Sequence, residues 1–405
     1  LDIWILELLQ NMLITAVVFI FILGLLVLVH ELGHFMVARR FGVACDEFGI
    51  GFPPRLAGFY KRNGKWVRVL GSREITDHDS TVYSLNWIPL GGFVKIKGEN
   101  DNGNHDADSL GAQKPWKRAL ILSAGVLMNV VLAWVILSIA MMIGLPEVVR
   151  DSAIDPNYVK DRRIQITQVL ADRPAEQAGI IMGDVIVSVD GQVFDKISGL
   201  IDYIGAKKDV AINFELKRGH SGISQTVTPT EIVDFDETTG QSKTRIGIGV
   251  AIDEIATVRY PWYQAIYQGL MAVFLLLWMI LSGIVNLIIQ LFQGKADGNS
   301  VAGPIGIATI TGQMVNLGVV YVMQFTAALS LNLAVINILP IPALDGGRLM
   351  FLAIEKIRGK AMKPQLEAIF NNVFFFALIL LILVVTIKDI SKLGCLSCQL
   401  QNLFK

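Results

Sequence analysis

The stretch that most constrains this chain is ITAVVFIFILGLLVLV, Ile14 to Val29, an almost unbroken apolar run that leads directly into HELGH, His30 to His34. A helix needs ~20 residues to cross the ~30 Å hydrocarbon core of a bilayer, and this run with its flanks is long enough. An ionisable group in that setting costs at least ~2.5 kcal/mol, so two histidines and a glutamate there require a function that justifies them. The flanks favour a retained transmembrane helix over a cleavable signal. Asp2 and Glu7 precede the run, and Arg39 and Arg40 follow it where small residues would mark a cut.

Three further stretches reach or approach spanning length: Leu120 to Ile143, Val319 to Leu339 and Val373 to Ile387. Composition agrees, because charged residues make up 17% of the 405 residues, well under the ~25% of soluble domains. Membrane lipid is therefore the first partner. With a formal net charge of zero there is no global basic field, and nucleic acid is not expected as a partner.

Positive charge orients the spans. The segment between the first two carries Arg39, Arg40, Arg55, Lys61, Arg62 and more, and the segment after Leu339 carries Arg348, Lys356, Arg358, Lys360 and Lys363, so both are expected on the cytoplasmic side. A fifth apolar run, Tyr263 to Phe292, would invert these assignments if it crossed. It also has a polar stripe: at about 100° per residue, Gln264, Gln268, Ser282, Asn286, Gln290 and Gln293 fall on one side. The run is read as a helix lying on or dipping into the outer face, leaving about four transmembrane helices.

Between the second span and this run lies a region of different texture. IQITQVLADRPAEQAGIIMGDVIVSVDGQVF, VAINFELKRG and TRIGIGVAI alternate apolar and polar residues around one helix start, predicting a small β-rich domain outside the membrane. Residues Val43 to Lys97 read as hairpins beside the inner membrane face, and Gly98 to Ala112 as a polar loop. His78, His105 and His220 read as solvated. Of the cysteines, Cys45 stands alone and Cys395 and Cys398 form a CxxC, for which a disulfide, a redox pair and idle or structural thiols are all open, idle or structural thiols being favoured.

HELGH carries the chemistry. Four-residue spacing puts His30 and His34 one helical turn apart on one face, so both imidazoles reach one metal, while Glu31 projects alongside as a base for water. Catalytic zinc takes three protein ligands and leaves a position open. The third is expected to be Asp345, in NILPIPALDGG, at the same end of its span as HELGH by the charge argument. Pro340 and Pro342 break the helix just before it, which is tolerated where backbone lines a cavity. Asn332 and Asn337 lie on that span, and Asn332 is read as bonding another helix.

HELGH, GFVKIKGE, SAGVLMN (Ser123 to Asn129), the β-rich domain, GPIGIA and NILPIPALDGG, in this order, resemble the site-2 protease family of intramembrane zinc metalloproteases, in its bacterial group with a single PDZ domain. The resemblance implies Zn²⁺ on His30, His34 and Asp345, Glu31 as catalytic base, and Asn337 positioning substrate. It also implies that Gly91, Gly92 and Phe93 pair with extended substrate, and that the PDZ domain filters access by size. Implied substrates are single-span membrane proteins, anti-sigma-factor-like chains or signal-peptide remnants, and the implied location is the bacterial inner membrane with the PDZ domain extracytoplasmic.

The expected organisation is a multi-pass α-helical membrane protein with an inserted β-rich PDZ domain and membrane-associated β-hairpins. Its segments are a first transmembrane helix (1–42), hairpins and polar loop (43–118), a second helix (119–145), the PDZ domain with flanks (146–260), an interfacial helix and loop (261–318), a third segment with LDGG (319–365), and a fourth helix with tail (366–405). Two competing readings are weaker. A catalytically silent PDZ-bearing scaffold has no use for His30, Glu31, His34 and Asp345 together, and a metal transporter would show paired repeats.

Overall fold

The computed structural model describes residues 2–72, 75, 80–99, 106–148, 158–194, 196–219, 221–235, 242–294, 302–360 and 364–403. His78, His105 and His220 lie outside the described residues, as do the side chains of Cys395 and Cys398. The chain forms two compact units, one of Leu1–Leu137, Gln268–Val315 and Tyr321–Lys405, the other of Ser138–Tyr267 and Asn316–Val320.

The first unit opens with α1 (Asp2–Arg40), apolar around its circumference as a lipid-surrounded helix must be; Met12, Leu13, Val17 and Phe21 stand exposed. Three strands follow, β1 (Cys45–Arg62), β2 (Lys65–Leu70) and β3 (Val82–Ile96). The two long strands fold back on themselves. Residues 57–59 lie between 68–70 and 83–85, and residues 47–50 lie between 82–85 and 92–95. One edge of this sheet is therefore 65–70 and the other is 92–95. An Arg55 to Glu47 fork, at 2.7 and 3.1 Å, ties the fold-back of β1.

After α2 (Pro115–Ile143) comes the second unit. Its six-stranded sheet has the order β4 (Leu145–Val148), β11 (Val250–Val258), β5 (Val159–Val169), β6 (Val185–Val189), β7 (Ile212–Arg218), β8 (Ser221–Val227), with every pairing antiparallel. A ribbon of β9 (Thr230–Phe235) and β10 (Ser242–Gly247) stands beside it in the chain. The period of two in INFELKR sends Ile212, Phe214 and Leu216 into the core with Ile164, Ile166, Val189 and Leu200. Asp184, fully buried, is held by the Arg218 guanidinium at 2.7 and 2.8 Å and by the Ile181 N–H. Where the sequence signals one helix there are two, α3 (Pro174–Gln177) and α4 (Ile197–Gly205). The second buries Leu200 and Ile204, one turn apart.

The chain continues through α5 (Trp262–Phe292), α6 (Pro304–Leu317), α7 (Val319–Ile338), α8 (Asp345–Arg358) and α9 (Pro364–Leu403). Among the described residues, five helices are long and apolar enough to cross a membrane, within α1, α2, α5, α7 and α9. One face of α5, centred on Val273, packs on Ala133 and Leu137 of α2 and Ala327 and Leu331 of α7. Asp389 of α9 accepts the N–H groups of Gly303 and Gly306 at the start of α6, at 3.0 and 2.8 Å, and Gly312 lies against Thr15 of α1. The segment after α7 is a separate amphipathic helix, α8, closed by Gly359 in the left-handed conformation with φ 67°. Asn332 bonds the carbonyl of Ala328 in its own helix, not a neighbouring helix, because its amide reaches the preceding turn at 3.0 Å.

Candidate metal centre

Four segments of the first unit build the site. α1 brings His30, Glu31 and His34, and crosses α2 so closely that a Cβ on Gly33 would sit 2.4 Å from the carbonyl oxygen of Ala124. Small residues permit that approach between membrane helices. Gly125 continues the contact on the α2 side, where a Cβ would lie 2.3 Å from His34 Nε2 and 2.8 Å from His30 Nε2.

Asp345 arrives from the far end of the chain. α7 stops at Ile338, and the turn through Pro340 and Pro342 places Ala343 in the left-handed region at φ 74°, which a residue with a Cβ seldom adopts. Asn371 of α9 accepts the Ala343 N–H at 3.1 Å and holds this turn. The glycines of LDGG let α8 begin beneath it, since a Cβ on Gly346 would meet the Leu339 carbonyl at 2.1 Å and one on Gly347 the Ile341 carbonyl at 2.3 Å.

The result is a cluster of three ligand atoms. Asp345 Oδ2 lies 2.9 Å from His30 Nε2 and 3.3 Å from His34 Nε2, and the two Nε2 atoms are 3.2 Å apart. Four ligands at ~2.0–2.1 Å around tetrahedral zinc sit about 3.3 Å from one another, so the observed triangle has the edge lengths of three corners of such a site. Both histidines are buried and Asp345 is partly exposed.

Groups behind the cluster decide what its atoms can do. The carbonyl of Ile121 lies 2.8 Å from His34 Nδ1, so this nitrogen carries the proton and donates it there. Nε2 is left as a bare lone pair facing His30 and Asp345. Behind His30 Nδ1, at 3.2 Å, is the buried amide of Asn129 in α2. The amide nitrogen faces His30 as placed; with a cation on Nε2, Nδ1 must donate, and the amide meets that need when it is turned over, since its oxygen has no other partner among the described residues. Lone pairs turned toward each other at this separation, with one negative charge among them, suit a divalent cation, so the residues present fit zinc.

The other expected site residues are distributed around this triangle. Asn337 lies 3.4 Å from His30 Nε2. Glu31 does not join the triangle; its Oε2 accepts the backbone N–H of Val94 at 3.2 Å. Gly91 and Gly92 are pressed on Val27 and Leu28 of α1, where a Cβ on Gly91 would lie 2.5 Å from that of Val27, and Phe93 packs over Gly49. They approach through backbone, on the outer strand of the sheet. Sequence reasoning did not assign Gly125, Asn129, Val94 or Asn371. Asn129 falls in SAGVLMN, where a lone asparagine in an apolar helix was the available signal.

Helices fit for a bilayer and a buried HExxH cluster completed by a distant carboxylate define a membrane-embedded metallopeptidase. Comparison with known proteins gives the family. The pattern of Peptidase family M50 matches residues 18–71 and 69–381, and the chain belongs to that family. A Rhizobium meliloti protein is 30% identical over 403 residues, covering 95% of this chain and 99% of that protein. Zinc metalloprotease RasP of Geobacillus kaustophilus is 28% identical over 452 residues (92% and 97%), and the regulator of sigma-W protease RasP of Bacillus subtilis is 28% identical over 466 residues (94% and 99%). Among solved structures, the PDZ domain of an SdrC-like protein from Listeria innocua is 25% identical, with a TM-score of 0.19 over 22% of this chain and 92% of that one.

Proposed function

We propose that this chain is an intramembrane zinc metalloprotease that cuts within or beside transmembrane segments of single-span membrane proteins. The observation that carries the reading is the convergence of His30, His34 and Asp345 at 2.9 to 3.3 Å from positions 315 residues apart. Zinc, when bound there, supplies Lewis acidity for water activation near neutral pH and for carbonyl polarisation. His34 is held for that role by Ile121 and His30 by Asn129. Glu31 takes the proton of the attacking water and returns it to the leaving amine. A helical substrate hides its carbonyls in its own hydrogen bonds, so it must be extended before it is cut. The outer edge at residues 92–95, beside α1, is suited to hold it by main-chain bonds that require little of its sequence. Asn337 is in reach of the same position.

The reading includes four crossings, with α5 making none in net. It is supported by two rulers of helix length. Thr15 is fifteen residues before His30, about 22 Å along α1, and Asp389 is eighteen after Asn371, about 27 Å along α9. These two residues touch Gly312 and Gly303 of the segment around α6, so that segment belongs at the end remote from the metal cluster. The stretch from Tyr260, whose N–H bonds the Met141 carbonyl near the end of α2, to Gly303 at the start of α6 thus begins and ends at that end and makes no net crossing, while α1, α2, α7 and α9 each connect the two. The basic loops favour a metal end facing the cytoplasm of an inner membrane and a β-rich unit outside it, acting as a PDZ-type filter. Regulated proteolysis of an anti-sigma-factor-like chain is favoured by the name of the Bacillus subtilis relative, which acts on sigma-W regulation. Glu31→Gln tests the assignment: proteolysis of a single-span substrate is lost while zinc stays bound, and wild-type cleavage by a zinc-loaded variant would overturn it.

A further inference from the structure

The hydrogen bond between Glu31 and Val94 joins the base to the strand that receives substrate. Strand residues point their N–H and C=O alternately to the two sides. The Lys97 N–H turns inward to the carbonyl of Ala44 at 2.9 Å, and the Val94 N–H turns outward to Glu31 Oε2 at 3.2 Å. Val94 therefore shares the outward side with Gly92 and Ile96, on the edge where residues 92–95 have a neighbour, 47–50, on one side only among the described residues. An incoming strand has to pair with these same groups.

We propose that Glu31 locks this edge in the resting enzyme, and that substrate opens the lock by taking the Val94 N–H onto one of its own carbonyls. An N–H carries one proton, so a well-aligned substrate bond and the Glu31 bond exclude each other. The freed carboxylate then accepts its proton from water instead. Seating of an extended substrate and release of the base become one event, and a helical segment, which cannot present a carbonyl to Val94, leaves the base engaged. This rests on the edge-pairing reading above and adds a competition to it.

The test measures binding, with two variants that are both inactive and both uncharged at position 31. In Glu31→Gln the amide oxygen still accepts from Val94; in Glu31→Ala nothing does. The probe is a dye-labelled apolar hexapeptide, acetylated and amidated at its ends, titrated into the zinc-loaded full-length protein in detergent. Loss of one hydrogen bond predicts about five- to tenfold tighter binding to Glu31→Ala than to Glu31→Gln. Equal affinities would overturn the lock. Val94→Pro removes the donor without touching the ladder to β1, a position where edge strands accept proline, and in that background the difference between the two variants closes; its persistence would contradict the proposal. Hydrogen exchange at single amides gives an arm that does not depend on the proline variant folding. The Val94 amide is protected in Glu31→Gln, exposed in Glu31→Ala, and protected again when the peptide is added, and protection in free Glu31→Ala would refute the lock. Failure of Gly92 and Ile96 to gain protection with peptide would sink edge pairing, and the lock with it, while leaving the metalloprotease reading to its own test of activity and zinc content.

Discussion

Gly125→Ala puts the geometry of the metal centre to a quantitative test. The added methyl would lie 2.3 Å from His34 Nε2 and 2.8 Å from His30 Cε1 and Nε2. Ordinary contact is about 3.5 Å, so the imidazoles or the helices must give by about 1 Å. Parting the helices would also open the adjacent close contact of Gly33 on Ala124. The imidazoles are tied behind by Ile121 and Asn129. Zinc ligands tolerate about 0.2 Å, and a 1 Å misplacement at a reacting centre costs on the order of 100-fold in rate. Alanine for glycine inside a helix is otherwise favourable by up to about 1 kcal/mol, so general unfolding does not explain a loss. Gly283→Ala in α5, where a Cβ would meet nothing within 4 Å, is the control. Zinc per polypeptide by mass spectrometry, thermal unfolding and cleavage of a single-span substrate are measured side by side. A Gly125→Ala protein that is folded, stoichiometric in zinc and fully active would refute the reasoning.

Two further outcomes follow from the groups around the site and from the second unit. Asn129→Ala lowers zinc affinity or activity by about 10- to 100-fold, whereas Asn129→Asp, which restores an acceptor for His30 Nδ1–H, recovers most of it; equal losses in a chelator titration of both variants would contradict the orienting role. In the second unit, Lys207, with the Asn213 N–H and the Tyr203 hydroxyl, holds the Asp190 carboxyl down to about 2. The folded value is below the unfolded ~3.9, so this contribution to stability is complete above pH ~4 and is lost as pH falls toward 2. Hydrogen exchange in β6 and β7, corrected for intrinsic rates, registers that loss between pH 5 and 2, and Asp190→Asn flattens it; an unchanged slope would remove Asp190 from the account.

What the sequence made legible was the part written in local spacing and in long apolar runs. His30 and His34 face one way because they are four apart, and Asp345 could be matched to them because the basic loops put both at one end in the expected topology. What escaped depended on how helices pack. Asn129 becomes a partner of His30, and Gly125 a floor for both imidazoles, when α2 lies against α1, and nothing local to SAGVLMN distinguishes those roles from ordinary small-residue packing. α8 was hidden because its first turn contains two glycines, poor helix formers, needed there to pass beneath the carbonyls of Ile338, Leu339 and Ile341. α4 was hidden by its brevity, nine residues within a run of strands. Asn332 bonds its own helix because the carbonyl one turn back was within reach.

Asp345 is the proposed third ligand beside His30 and His34, and X-ray absorption at the zinc edge reads that directly. In a background lacking Cys45, Cys395 and Cys398, Asp345→Cys exchanges a carboxylate oxygen for a thiolate at the same backbone position. The prediction is a zinc-loaded protein whose spectrum gains one sulfur at about 2.3 Å while the histidine nitrogens at about 2.0–2.1 Å are kept. A bound zinc whose shell still contains nitrogen and oxygen alone would show that Asp345 is not its ligand.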